Sequence, residues 1–490
     1  MIKTANIHKY IFLILLSAVV FSAVSPIFSV SASTSTSAGQ AYNMAAQIKS
    51  EAVVLMDGDT GQVLFEKNMN SRMHPASITK IMTALIALEK GKLNDTVTMS
   101  YDAVWSVGRD TSHIALDEGE QITLEQALYA LSIESANDAA NGIAELIGGS
   151  MTDFARQMTI KAKELGALNT NFTNAHGLHD ENHYTTAYDM ALILSEAVKN
   201  PEFTKIFTAV IYDMPPTNKQ PEARTFNRKN SLIEGPYKYD GTIAEKTGYT
   251  NDAGFTYAAA ARRDGRTLVA VVMKSPDQIA RWEDTAALFD YGFNEFIPVR
   301  YSAAEFAKEN YIIENADGSR INADLIPVGD FNRYILKSLN KDDIEITYVF
   351  SADTNNSDSD GITGKIEGKA VFSLESGLSA YMFNELGEAS LKVYFSDGKA
   401  SPVSGNISDY GSQGGQGKNQ EDQKTRGPVL SAIFSILSVI SIILQIIGGL
   451  TVIWLILYIR RNIIVNKRRK RRLNYNNTNN TMNKNFNKKY

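Results

Sequence analysis

The 490-residue chain contains no cysteine. That excludes disulfides, thiol nucleophiles and cysteine-based zinc sites, and it suits an exported protein that relies on its core for stability. Acidic residues are missing from both ends. Residues 1–32 hold two lysines and no Asp or Glu, and residues 460–490 hold 11 Lys or Arg and no Asp or Glu. The stretch between them, 33–459, carries 36 basic and 54 acidic residues, a net charge of −18. So acidic a body repels polyphosphate, and no nucleic-acid partner is expected. His-Glu-x-x-His is also absent. The one histidine group, His176, His179 and His183, lies in a polar loop, and neither metal nor cofactor is expected.

Both ends carry long apolar runs. Lys3 and Lys9 precede "YIFLILLSAVVFSAV" and the small residues of "SVSAS". This is the layout of a signal peptide over 1–32, cleaved after Ala32. From Val429 to Ile459 the chain is apolar or weakly polar, with Gln445 the one amide. At about 1.5 Å per residue this run exceeds a bilayer core of roughly 30 Å, so 429–459 is expected to be a C-terminal transmembrane helix, with Gly448-Gly449 a possible break. Arg460 and the run Lys467–Arg472 follow at once. Positive charge next to a span marks the cytoplasmic side, so 460–490 is expected as a cytoplasmic tail and the body as extracytoplasmic. The cytoplasmic membrane of a bacterium is therefore an expected partner.

At this length two or more domains are expected. "AVVLMD" and "QVLFEK" around "GDTG" predict a β-hairpin, and "GFTYAAAAR" and "RTLVAVVMK" joined at "RDG" predict another. Helical patterns cover 77–90, 123–147, 152–165 and 186–199, strands are expected near 205–213 and 243–247, and a helix over "RWEDTAALFDYGFNEF". Strands at both ends and helices between them imply one mixed sheet packed on helices, an α+β domain over 33–298. Short alternating runs in 299–400 ("IEITYVF", "KAVFSL", "SLKVYF") predict a small β-rich domain. Residues 401–428 read as a flexible linker.

Within this frame "HPASITKIMT" stands out. Ser77 and Lys80 are three residues apart where an apolar helical pattern starts, behind Pro75. The pairing is either an accident of surface residues or a nucleophile beside its base. Ser-x-x-Lys alone is weak, and Ser338/Lys341 and Ser396/Lys399 repeat it. Two further motifs raise its weight. "SANDAA" places Ser135 and Asn137 at a helix junction, and Lys246-Thr247-Gly248 is the chain's one Lys-Thr-Gly. The three occur in this order in serine β-lactamases and penicillin-binding proteins.

The set makes physical sense. A serine hydroxyl attacks an amide only with a base at hand. Lys80 serves only when neutral, and burial and a nearby Lys246 would both lower its pKa. Ser135 can relay a proton to the leaving amine, and Asn137 can hold a substrate amide. Lys246 and Thr247 can bind a carboxylate. The backbone N–H groups of Ser77 and Tyr249 can face the developing oxyanion. Gly248 lets substrate lie close to a strand edge.

With "DGDTGQVLFEKNMNSRMHPASITKIMTALIALE", "SANDAA", "NAHGLHDENHYTTAYDMA" and "EKTGYT", the chain resembles the serine-type D-alanyl-D-alanine carboxypeptidases, the low-molecular-weight penicillin-binding proteins, over residues 45–400. The resemblance implies a β-lactamase/DD-peptidase-like fold and an acyl-enzyme on Ser77. It also implies release of the terminal D-alanine from peptidoglycan stem pentapeptides and covalent inhibition by β-lactam antibiotics. Arg281, ahead of "WED", matches a family arginine that helps bind the terminal carboxylate, and His176 is expected to fix the loop beside the site. There are two departures. Many members end in an amphipathic membrane-surface helix rather than a long apolar run. His179 and Asp180 follow "HGL" where an acidic residue often comes directly. Two alternatives remain at this point: a β-lactamase, with Glu181 activating water, and a membrane-anchored β-lactam sensor. A sensor would need more than a basic tail inside the cell.

Overall fold

The computed structural model describes residues 44 and 47–395, except 230, 315–319, 354–364 and 375–384. The signal peptide, linker, membrane span and tail expected from the sequence lie outside the described residues. Among the described residues no helix is long and apolar enough to cross a membrane.

Strand β1 (Ala52–Asp57) is apolar at nearly every position because both of its faces are covered. Ala52, Val54 and Met56 join one core, Val53 and Leu55 another. It pairs with β2 (Val63–Lys67) and, from far along the chain, with the strand Arg266–Ser275. Helices and short strands fill the interval: α1 (Lys80–Lys90), β3 (Thr96–Thr98), α2 (Tyr101–Trp105), β4 (Gln121–Thr123), α3 (Leu124–Ile133), α4 (Asn137–Gly148), α5 (Met151–Glu164), α6 (Ala187–Ala197), α7 (Pro201–Phe207), β5 (Ile211–Met214) and β6 (Arg224–Asn227). Then come β7 (Thr242–Thr250), β8 (Gly254–Arg263), β9 (Arg266–Ser275) and α8 (Gln278–Glu295). The antiparallel order β2-β1-β9-β8-β7 leaves β7 at an edge. Between β8 and β9, Asp264 and Gly265 both have positive φ (51° and 81°), as a two-residue type I′ turn requires.

Two expectations change. The segment expected as strand from 205 opens instead as α7. Asn200 caps it, Pro201 sits in its first turn, and Phe203 stacks on Phe207 at 4.0 Å. The strand starts only at Ile211. The pattern over 123–147 is broken in two at Ser135, whose φ of 59° ends helical geometry.

One face of the sheet packs on the helices, with α1 and α6 central. The other packs on α8 and on the strands that follow: β10 (Phe296–Tyr301), β11 (Lys308–Glu314), β12 (Arg320–Pro327), β13 (Phe331–Leu336), β14 (Ile344–Asp353), β15 (Lys365–Leu374) and β16 (Glu385–Phe395). β10 pairs with β13, and the rest form a sheet in the order β11-β12-β16-β15-β14. One continuous core joins Leu268 and Leu288 to Phe331 and Phe372. Gln62 adds a polar tie, donating to Tyr334 O and accepting from Tyr334 N, each at 2.8 Å.

Candidate active site

Ser77 lies in a 3₁₀ turn, Ala76–Thr79, and α1 begins only at Lys80. In 3₁₀ geometry side chains three apart eclipse. Lys80 Nζ accordingly lies 3.0 Å from Ser77 Oγ. The turn is held on two sides. Thr256 Oγ1 of β8 donates to Pro75 O at 2.8 Å. Thr79 Oγ1 meets His183 Nε2 at 2.9 Å. His183 Nδ1 accepts from Thr173 N, so its proton sits on Nε2; burial pushes its pKa down to about 3 and keeps it neutral. Ala76 has a φ of 50°, backbone strain of the kind found at functional sites. Gly177 (φ 87°) makes the turn possible, since a Cβ there would fall 1.9 Å from Ala76 O.

Lys80 is fully buried while Ser77 is half-buried and reachable. Besides Ser77, Lys80 Nζ meets Asn137 Oδ1 at 2.7 Å and His176 O at 2.8 Å. Burial holds its pKa well below the ordinary lysine value, Lys246 lowers it further, and Asp138 opposes both. The same contacts serve both protonation states. The ammonium donates to all three; the amine donates to Asn137 and His176 and turns its lone pair to the Ser77 hydroxyl.

Ser135 sits at the α3–α4 junction. Ala136 N bonds back to Ala130 O (3.2 Å) and Asn137 N takes Ser112 O (2.8 Å), which fixes the bend. Asn137 opens α4 and is buried. On the facing strand, Lys246 Nζ donates to Ser135 Oγ and to Thr247 O, each at 3.0 Å. Burial, then Arg228 and Arg281, push the Lys246 pKa down to about 7, against Glu245.

A Cβ on Gly248 would lie 2.3 Å from Thr256 Oγ1 and 2.8 Å from Ser77 N, so only glycine lets β7 run this close to the Ser77 amide. Tyr249 is exposed, its hydroxyl on Asn251 Oδ1 at 3.2 Å. Arg281, buried on α8, reaches Gly248 O at 3.4 Å and leaves Nε without a partner. His176 is tied by Leu178 N to its Nδ1 at 3.1 Å, and burial with the Lys80 charge pushes its pKa down to about 3.

Two hydrogen-bonded groups thus stand side by side, Lys80 with Ser77, Asn137 and the His176 carbonyl, and Lys246 with Ser135, joined through the backbone from Ser135 to Asn137, with Thr247, Gly248 and Tyr249 along the β7 edge beside them and Arg281 behind. The other described Ser-x-x-Lys copy differs: Lys341 pairs with Glu305 and lies 4.1 Å above the Tyr301 ring. Ser396/Lys399 lies outside the described residues. The loop histidines diverge, His179 lying edge-on to His74 and 3.5 Å from Asp252. Among the described residues no group of three His, Cys, Asp or Glu could hold a metal ion. Glu181 is exposed and bonds to neither Ser77 nor Lys80.

Sequence reading missed the buried charges beneath the site. Glu245 is paired to Arg228 at 3.0 Å and accepts from Leu232 N and Tyr257 Oη. Asp138 accepts from Ile114 N and Leu116 N. Each directly adjoins a motif residue, Lys246 or Asn137, and that adjacency was the available signal.

A family profile described as D-alanyl-D-alanine carboxypeptidase matches residues 36–277. D-alanyl-D-alanine carboxypeptidase DacF of Bacillus subtilis is 38% identical over 253 residues, 51% of this chain and 63% of that protein. D-alanyl-D-alanine carboxypeptidase DacB2 of Mycobacterium tuberculosis is 34% identical over 245 residues, 49% of this chain and 81% of that protein. The crystal structure of the D-alanyl-D-alanine carboxypeptidase DacD from Francisella tularensis superposes with a TM-score of 0.53 at 23% identity, over 70% of this chain and 92% of that one, a likeness of fold. With the cluster around Ser77, these matches identify the chain as a member of the D-alanyl-D-alanine carboxypeptidase family of serine hydrolases.

Proposed function

We propose that the protein hydrolyses the terminal D-Ala-D-Ala bond of peptidoglycan stem pentapeptides through a Ser77 acyl-enzyme. The observation that carries the residue assignment is the 3.0 Å contact between Ser77 Oγ and a buried lysine whose environment favours the neutral amine. The stem peptide adds along the free edge of β7, with Asn137 Nδ2 holding a peptide carbonyl. Lys246, Thr247 and Arg281 take the terminal carboxylate.

Neutral Lys80 accepts the Ser77 hydroxyl proton as Oγ bonds to the carbonyl carbon. The oxyanion forms against the backbone N–H groups of Ser77 and Tyr249. Ser135 already accepts from Lys246, so its own O–H is free to pass a proton to the departing amine, and Lys80 replenishes it. The C–N bond breaks and D-alanine leaves. Water then attacks the ester, Lys80 takes its proton, and Ser77 regains its hydrogen. A β-lactam follows the same first step and stays attached.

Residues 429–459 anchor the chain in the cytoplasmic membrane, and the β-rich 299–400 region with the 401–428 linker spaces the site away from it. Their length, composition and flanking charge support this reading. The test is D-alanine release from a muropeptide pentapeptide by the detergent-solubilised full chain, with Ser77→Ala as control. Release by the unaltered protein alone is expected. Release by Ser77→Ala would remove Ser77 from its role. Deleting 429–490 should move the activity to the soluble fraction, and retention in membranes would put the anchor elsewhere.

A further inference from the structure

The segment 101–116, whose later part bonds to the start of α4, carries exposed rings that the acyl-transfer chemistry does not use. Ala103 and Val104 bury one side of α2, which turns Tyr101 and Trp105, four residues apart, outward. They are 60% and 51% exposed, with ring centroids 6.4 Å apart. Arg109, also exposed, lays its guanidinium 4.3 Å from the Trp105 ring centroid. Isolated exposed apolar residues are ordinary, but two adjacent rings, tilted by 39° to each other and flanked by a guanidinium over the indole, form an exposed amphipathic surface.

Its place in the fold ties it to the active site. Asn141 Nδ2 donates to Ala103 O (3.2 Å) and Ser106 Oγ (3.1 Å). One turn earlier on α4, Asn137 N takes Ser112 O (2.8 Å) and Asp138 holds Ile114 N and Leu116 N. Residues 103–116 are therefore strapped along the start of α4, from Asn141 back to the residue that contacts Lys80. Four helical residues separate Asn137 from Asn141 by about 6 Å. An extended four-residue acyl peptide reaches about 13–14 Å. A stem peptide with its reacting carbonyl at Ser77 is thus long enough to run past the start of α4 towards α2, with the sugar at its amino end.

We propose that Tyr101, Trp105 and Arg109 form a saccharide subsite that takes the amino-sugar ring of the peptidoglycan strand. This deepens the carboxypeptidase reading and rests on it for the identity of the substrate. A pyranose ring presents an apolar C–H face that packs on an indole, and its N-acetyl and lactyl carbonyl oxygens accept from a guanidinium. Such a surface prefers a substrate still attached to glycan over a bare stem peptide.

The test compares kcat and KM for D-alanine release from a disaccharide-pentapeptide and from the sugar-free pentapeptide, using the full chain, Trp105→Ala, Trp105→Phe and Arg109→Ala. The expected wild-type KM is lower for the saccharide substrate by about two- to tenfold. Trp105→Ala should bring the two KM values together by raising that of the saccharide substrate, and Trp105→Phe should keep part of the preference. Equal wild-type KM values, a preference that survives Trp105→Ala, or a rise in both KM values alike would overturn the subsite. Titrating Ser77→Ala protein with the peptide-free disaccharide separates this from a failure of the carboxypeptidase reading. Binding that depends on Trp105 supports the subsite even without D-alanine release, and its absence there counts against it. A change in vesicle binding or self-association with saccharide preference intact would give the surface to another partner and refute the proposal.

Discussion

The two faces of the central sheet use the same strands for opposite purposes. Behind it, Val53, Leu55, Leu268 and Val272 share a core with α8 and the β-rich strands that is mainly apolar and aromatic, with Phe372 stacked on Phe331 at 3.6 Å and the Gln62–Tyr334 pair a polar exception. The helical side is different. Between its apolar core and the β7 edge it buries Lys80, Lys246, Asn137, Asp138 and the Arg228–Glu245 pair. Burying charge destabilises a fold unless every group finds partners. Here the partners are found, yet the two lysines remain poor places for a proton. The back provides rigidity, and the helical side uses that rigidity to hold two lysines below their ordinary pKa.

The sharpest way to break this contrast is Lys80→Arg. Arginine cannot lose its proton, so acylation by penicillin and D-alanine release, measured per folded molecule, should fall by on the order of 10³-fold or more, with a lower melting temperature because a larger, permanent charge is buried. Near-normal labelling would mean that Lys80 is not the base. On the opposite face, Phe372→Ala should cost about 3–5 kcal/mol in denaturant unfolding. The kcat/KM of the protein that stays folded should remain within about twofold. A large loss of rate at full folding would show that the back also shapes the site.

Gly248→Ala tests the edge of β7. The added methyl meets Thr256 Oγ1 and the Ser77 amide, so kcat/KM should drop by about 10²-fold with a smaller loss of stability. Unchanged kinetics would show that the close approach at Gly248 is not needed.

The smallest effect is in pH. The rate should rise with pH as Lys80, held well below its ordinary pKa, loses its proton. It should fall again as Lys246 loses its charge, near 7 in the free enzyme. A bound carboxylate favours the charged Lys246, so the alkaline limb of kcat should lie above that of kcat/KM. Coincident limbs would take Lys246 out of carboxylate binding.

Much of this was legible in the sequence because the signals are local. Asp264-Gly265 specifies its own turn, strand burial shows as runs such as "AVVLMD", and the three motifs keep their members within four residues of each other. Boundaries were less legible where capping competes with apolar content, as at Asn200-Pro201, which turned an expected strand into α7. The buried partners Glu245, Arg228 and Asp138 were not read, because an acidic or basic residue looks the same in sequence whether it faces water or a lysine.

By itself, then, the sequence pointed to the family through its three motifs and to most of the main strands and helices, since each depends on residues near one another in the chain. Only the tertiary structure decided how a serine in a 3₁₀ turn and the lysine that opens α1 come together with Ser135–Asn137 and the Lys246 strand. It alone decided that the meeting is dry enough to hold Lys80 well below its ordinary pKa. Burial is a property of everything packed around a group, and 165 residues of chain lie between Lys80 and Lys246.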